Sequence, residues 1–319
     1  MNKFALIGAA GYIAPRHMNA MKKLGHDLVA VLDPNDSIGI IDSYFPHSKF
    51  FTEFERFSRH LDLLKGKTKS PLDYVSITSP NYLHDAHISF ALRSGADAIC
   101  EKPLVLDPNH IDLLKDVEKE TGKKVWNILQ LRLHPSIVEL KTHVEKNQID
   151  KKYDVDLTYI TSRGSWYLSS WKGQTKLSGG IAFNIGIHFF DMLSYIFGDM
   201  QKNILHMNKA TKAAGYLEYE NARVRWFLSI DENDLPLDMK KQGQRTYRCI
   251  CVDGKELEFS KGFTDLHTAS YDAIEKGQGF SLDQARNCVE TAYEICHLKE
   301  TTLKGDYHPY LKTLKKSEL

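Results

Sequence analysis

The chain has 319 residues, 42% hydrophobic and 26% charged, which is enough apolar material for two globular domains with cores of their own. Forty-two lysines and arginines face 41 acidic residues, and the formal charge of +1 excludes the broad basic footprint of a nucleic-acid binder. The five cysteines, Cys100, Cys249, Cys251, Cys288 and Cys296, form no Cys-x-x-Cys pair, which argues against a disulfide framework and against a zinc site. Met1 leads directly into an apolar run without the layout of a secretory signal, so a cytoplasmic protein is expected.

In chain order, the apolar runs Phe4–Ile7, Leu28–Leu32, Tyr74–Ile77, Ala98–Cys100 and Val125–Leu129 read as strands. The stretches between them, Ile13–Leu24, Glu53–Leu64, Leu83–Ser94 and Pro108–Thr121, read as helices. Such alternation predicts a parallel sheet with helices on both faces. After about residue 130 the texture changes. A helix at Ser136–Lys146 precedes a half-buried strand at Asp154–Thr161, an aromatic-rich loop and an apolar helix at Gly179–Gly198. Strand-like runs then follow one another at Asn203–Asn208, Gly215–Glu220, Ala222–Ile230, Thr246–Val252 and Glu256–Phe259, which predicts a mainly antiparallel sheet. Helical stretches at Thr264–Lys276 and Leu282–Lys299 close the chain, and Lys240–Arg245 reads as an exposed loop.

The Gly179–Gly198 stretch is long enough to span a bilayer. However, Asn184, His188 and Asp191 fall at i, i+4 and i+7, which puts a polar stripe on one helical face. A core helix lining a cavity is the better reading, and no membrane association is expected.

The segment Gly8-Ala9-Ala10-Gly11-Tyr12-Ile13-Ala14 joins the first strand to the first helix. A dinucleotide pyrophosphate lands at such a turn, because glycine lets the backbone approach and the helix start supplies amide donors. Asp33 ends the second strand, where a carboxylate binds the adenosine ribose and repels a 2′-phosphate, so NAD is expected rather than NADP. Asp33-Pro34-Asn35 also suits a plain turn. Together these features make the α/β chain an N-terminal Rossmann domain over residues 1–130, followed by an α+β domain over residues 131–319 for substrate and oligomerisation.

Three further clusters lie where an α/β sheet binds ligands. Ser79, Asn81 and His84 follow the strand Tyr74–Ile77, although Asn81 also suits a helix cap and His84 a surface position. Glu101-Lys102-Pro103 follows the next strand, and a lysine there can hold a substrate hydroxyl, or simply pair with Glu101 at the surface. His188, with Asn184 one turn earlier, can serve as a base in a cavity, or be a satisfied core histidine.

Taken together, these clusters resemble the Gfo/Idh/MocA oxidoreductases along nearly the whole chain, with Glu101-Lys102-Pro103 the most specific element. The resemblance implies NAD held by Gly8, Gly11, Tyr12, Ile13, Asp33, Ser79, Asn81, His84, Glu101, Lys102 and Gln130, and no metal. It implies that Lys102 and His188 flank the sugar carbon that loses hydride. The family often carries aspartate where this chain has Asn184, and an amide cannot act as a carboxylate base. Within the family, the segments Gly8–His17, Gln130–Pro135 and Asn184–Asp191 resemble the UDP-N-acetylglucosaminuronate 3-dehydrogenases. That branch implies oxidation of the 3′-hydroxyl of a UDP-sugar acid for lipopolysaccharide or O-antigen synthesis by a homotetramer. Its anionic substrate would be bound by Arg163, Tyr167, Lys172, Arg132 and Asn184, unless Trp166 and Trp171 are core residues and the cations merely surface. A dehydrogenase of free sugars or inositols and a non-catalytic NAD- or sugar-binding regulator are the rival readings.

Overall fold

The alternation in the first 130 residues produces a single sheet. The computed structural model describes residues 1–67, 72–147, 151–257 and 265–313. They fall into two units, Met1–Leu133 with Thr264–Arg286, and His134–Phe263 with Asn287–Leu319. The first unit contains, in chain order, β1 (Lys3–Ile7), α1 (Ala14–Lys23), β2 (Asp27–Leu32), β3 (Lys49–Phe51), α2 (Phe54–Lys67), β4 (Tyr74–Ile77), α3 (His84–Arg93), β5 (Asp97–Cys100), α4 (Asn109–Thr121) and β6 (Val125–Asn127). All six strands pair in parallel, in the order β3-β2-β1-β4-β5-β6.

Strand order reverses between β1 and β4, the switch point where open α/β sheets bind ligands beyond the strand ends. Register fixes what arrives there. Ile7 lies opposite both Leu32 and Ile77, and Ile77 lies opposite Cys100. The next residue of each strand, Gly8, Asp33, Thr78 and Glu101, therefore leaves the sheet along one edge.

Because both sheet faces are covered, the strands are continuous apolar runs rather than alternating ones. Helix α1 turns Ala14, His17, Met18 and Met21 inward at helical spacing, with proline in its first turn where a missing amide costs nothing. Met18 and Met21 join Phe4, Leu6, Leu28 and Val31 in the core, and burying such a side chain fully contributes about 1.5–3 kcal/mol. The later helix Leu266–Glu275 adds Tyr271 and Ile274 to the same core, and Phe280 bridges to Asn127 at the β6 edge. A division at residue 130 alone does not anticipate this return of the chain. Strand β3 was also unforeseen, since three residues carry almost no periodicity.

The second unit contains α5 (Pro135–Lys146), β7 (Tyr153–Thr161), α6 (Ile187–Phe197), β8 (Met200–Asn208), β9 (Lys212–Tyr219), β10 (Ala222–Ser229), β11 (Thr246–Val252) and β12 (Lys255–Glu256). Its sheet runs β12-β11-β7-β10-β9-β8 and is antiparallel except where β10 pairs with β7. The strand expected at Glu256–Phe259 begins one residue earlier, and its last two residues lie outside the described ones.

Helix α6 packs across one face of this sheet. Phe190 meets Trp226 edge to face at 5.5 Å, and Phe189 meets Tyr159 at 4.8 Å. A Cβ on Gly186 would stand 2.7 Å from Leu228, so only glycine lets the chain lie this close. Among the described residues one stretch, Thr175–Phe197, is long and apolar enough to cross a membrane, but it is mostly buried in the protein. It is the expected core helix. The opposite face carries Ile160, Met207 and Phe227 beneath Leu311, with Leu303, Tyr307 and Tyr310 packed alongside, a cover the sequence had not suggested. Residues 242–245 are exposed, as expected of a loop, but Lys240 and Lys241 end a short helix, Leu237–Lys241, and Lys240 is only partly exposed.

Candidate active site

Gly8 takes φ +94°, and a Cβ there would stand 2.6 Å from backbone atoms of Thr78 and Ser79. The turn thus lies flat on the end of β4, which only glycine permits. Thr78 Oγ1 braces it, donating at 2.9–3.0 Å to the carbonyls of Gly8 and Ile7. Asp33 holds it from the other side: Oδ2 accepts from the Ala10 amide at 2.8 Å, while Oδ1 accepts from Asn35 at 2.9 Å. Asp33 thus forms the Asp-Pro-Asn turn and at the same time fastens the glycine turn.

Helix α1 starts without a side-chain cap, and among the described residues no acceptor takes the amides of Tyr12 and Ile13. Open donors at the positive end of a helix suit a pyrophosphate. Gln130 is buried, and its Oε1 has no hydrogen-bond partner. A buried acceptor left unmatched is one that a donor on a bound group would satisfy. The turn, the open amides and Gln130 fit a dinucleotide.

His84 is not at the surface. Its ring nitrogens face the carbonyls of Pro103 at 2.7 Å and Ser79 at 2.9 Å, and burial pulls its pKa below the usual value. It ties the loop after β4 to the loop after β5. Ser79 Oγ bonds to His87 Nδ1 at 2.8 Å, and Asn81 is buried at the start of the turn Asn81–Leu83. Lys102 is half-buried, and its peptide bond to Pro103 is cis.

Glu101 is not part of a surface pair. It is buried, and its Oε1 faces His17 Nε2 and His267 Nε2, each at 3.0 Å, while Oε2 accepts from the Lys102 amide at 3.2 Å. Burial pushes the carboxyl pKa up, but the hydrogen bonds from His17 and His267 outweigh it and hold the group well below the usual range. Burial in turn lowers the pKa of His17, with Glu101 opposing it. The three groups are near enough to surround a metal ion, but 3.0 Å is a hydrogen-bond distance. Thr78, His17, His267 and Tyr271 were not singled out in the sequence. No spacing signals them, because their partners are far along the chain.

In the second unit, a π-turn at Ala182–Gly186 leads into α6. Across residues 181–193 only Asn184 and His188 remain partly accessible. Asp191, expected on the same stripe, is 1% exposed and belongs to the core. Asn184 Nδ2 donates to the Lys172 carbonyl at 3.2 Å. Lys172 Nζ lies 5.6 Å from the Trp166 ring centre and 5.5 Å from that of Trp171. Trp166 is 54% exposed, so it is not a core residue. Burial first, and the Arg163 charge second, pull the Lys172 pKa down. Burial lifts Tyr167 to about 12 against the pull of Arg163. Two cations that disfavour each other beside aromatic faces suit an anion.

Arg132 corrects the expectation of an open substrate cation. It is buried in the first unit, donates to the Gln284 carbonyl at 2.8 Å and lies over the Phe280 ring at 5.1 Å.

Residues 2–128 match the model of an oxidoreductase family with an NAD-binding Rossmann fold, and residues 141–236 match that family's C-terminal alpha/beta domain. The WlbA (WbpB) dehydrogenase from Thermus thermophilus, solved in complex with NAD and UDP-GlcNAcA, is 48% identical, with a TM-score of 0.93 over 97% of this chain and 100% of that one. The same dehydrogenase in complex with NAD and alpha-ketoglutarate is 49% identical, with a TM-score of 0.94 and the same coverage. Among curated relatives, the glucose-6-phosphate 3-dehydrogenase of Bacillus subtilis (strain 168) is 23% identical over 201 residues, which are 62% of this chain and 54% of that protein. Matches to this and two similar relatives span only 35% to 54% of their lengths.

Proposed function

This chain belongs to the Gfo/Idh/MocA oxidoreductase family, and on that premise we propose that it oxidises the 3′-hydroxyl of UDP-N-acetylglucosaminuronate, with NAD as hydride acceptor. The observation that carries this reading is the full-length likeness to a dehydrogenase crystallised with NAD and UDP-GlcNAcA.

In this reading the cofactor lies along Gly8, Gly11, Tyr12, Ile13 and Asp33, with Ser79, Asn81, Lys102 and Gln130 towards its reactive end, while His84 and Glu101 set the loops. NAD, when bound, supplies the hydride acceptor. The chain's own groups hold the alcohol and move its proton. Lys102 and His188 share the hydroxyl, one holding the oxygen while the other accepts the proton. Asn184 is an amide and orients the sugar without taking a proton. Arg163 and Lys172 neutralise the uronate or pyrophosphate, and Tyr167 and Trp166 line the sugar or the base. Residues 1–130, with the later segment 265–286, form the cofactor domain, and the rest of the chain carries the substrate. The reading includes a cytoplasmic homotetramer serving lipopolysaccharide or O-antigen sugar synthesis; a tetramer mass is the expected result in light scattering, and a monomer mass refutes that assembly.

The test is NADH formation at 340 nm with UDP-N-acetylglucosaminuronate, compared with glucose 6-phosphate, free sugars and inositols. Turnover on the nucleotide sugar, reduced about 10²–10⁴-fold by His188→Ala, is the expected result. Preference for a free sugar or inositol refutes the substrate assignment. NAD binding without turnover on any of these compounds favours a regulator.

A further inference from the structure

We propose that His17 and His267 are positioning residues that act on Lys102 through Glu101. The proposal rests on the reading above, in which Lys102 holds the reacting hydroxyl. Glu101 precedes Lys102, and its two oxygens have different tasks. Oε2 accepts the backbone amide of Lys102 at 3.2 Å, while Oε1 faces His17 Nε2 and His267 Nε2, each at 3.0 Å. One carboxylate therefore joins the lysine backbone to two histidines from separate elements, α1 and the helix Leu266–Glu275.

The arrangement continues inward. His17 Nδ1 lies 2.7 Å from the Tyr271 hydroxyl, which lies 2.7 Å from Ser76 Oγ on β4. His17, Tyr271 and Ser76 are 0% exposed, His267 4% and Glu101 5%. A neutral His17 that donates Nε2–H to Glu101 must accept at Nδ1. Tyr271 then donates to His17, and Ser76 donates to Tyr271. Each proton along this line has one place. A network so closed to water admits little drift, because any slipped member leaves a buried polar atom unmatched. Its outer end is the peptide that carries Lys102. Since misplacing a reacting group by about 1 Å can cost about 10² in rate, the network acts on turnover more than on cofactor affinity.

The experiment compares wild type, His267→Leu, His267→Gln and Lys102→Met, with protein concentration set by NAD-binding titration. His267→Leu removes a donor to Glu101, whereas a glutamine amide restores one. His267→Leu is expected to lower kcat about 10–100-fold and to leave the NAD dissociation constant and the sugar KM within about threefold. His267→Gln is expected to recover most of kcat. Wild-type kcat in His267→Leu, with Lys102→Met inactive, overturns the proposal and leaves the role of Lys102 standing. Equal losses of kcat and NAD affinity in His267→Leu also overturn it. Full activity of Lys102→Met instead refutes the underlying reading. Should His267→Leu fail to fold, the ¹⁵N imidazole spectrum of wild type decides: His17 must be the Nε2–H tautomer, and an Nδ1–H tautomer breaks the line and refutes the proposal. A stoichiometric metal ion in purified protein does the same.

Discussion

Tyr271→Phe removes one oxygen and leaves the ring in place against Phe4, 5.7 Å away. That oxygen bonds to both Ser76 Oγ and His17 Nδ1, and neither residue is exposed to water. The variant breaks both hydrogen bonds and leaves two buried polar atoms unmatched, at about 1–2 kcal/mol apiece after relaxation. A net loss of about 2–4 kcal/mol follows. For a unit of this size, each kcal/mol lowers Tm by roughly 2–4 °C, so a drop of about 5–15 °C is expected by circular dichroism or calorimetry. Adding Ser76→Ala removes one of the stranded atoms, so the double variant should be more stable than the sum of the single losses predicts, by roughly 0.5–3 kcal/mol. A Tm change below about 2 °C, or strict additivity, refutes this account of the network.

Gly8→Ala combines a strained positive φ with a Cβ on the backbone of Thr78 and Ser79. NAD affinity should fall at least about 30-fold in calorimetry, from roughly 2–4 kcal/mol of displaced turn, and unchanged affinity refutes the cradle. Lys172→Met should raise KM for the nucleotide sugar about 10–100-fold with kcat within about threefold, as expected for a lost charged contact of roughly 1.5–3 kcal/mol. It should also flatten the salt dependence of kcat/KM; an unchanged KM removes Lys172 from the site. Thermal stability should decline steadily from pH 7 to pH 4. Burial holds His17 and His84 below the usual histidine value and takes His87 and His308 to about 4. The unfolded chain therefore binds more protons once pH falls through about 6.5. Below about 4.3 Glu101 adds to the loss, because its carboxyl resists protonation only in the fold. A flat Tm between pH 7 and pH 5 refutes the neutral, buried histidines.

The sequence by itself determined the elements and the candidate site residues at their ends. Strand–helix alternation, the glycine turn after β1, Asp33 at the end of β2 and Lys102 after β5 are all local signals, since propensity and periodicity act over a few residues. Asn184 and His188 were legible for the same reason, being one turn apart on an apolar helix. Tertiary structure alone decided what these residues touch. Strand register brought Gly8, Asp33, Thr78 and Glu101 to one edge. Pairing across 84 and 166 positions set His17 and His267 on Glu101. Burial withdrew Arg132 and Asp191 from any open face, and His84 became a tie between two loops. Such contacts join residues far apart in the chain, so no spacing records them. They appear only once packing has chosen which distant side chains share a space without water.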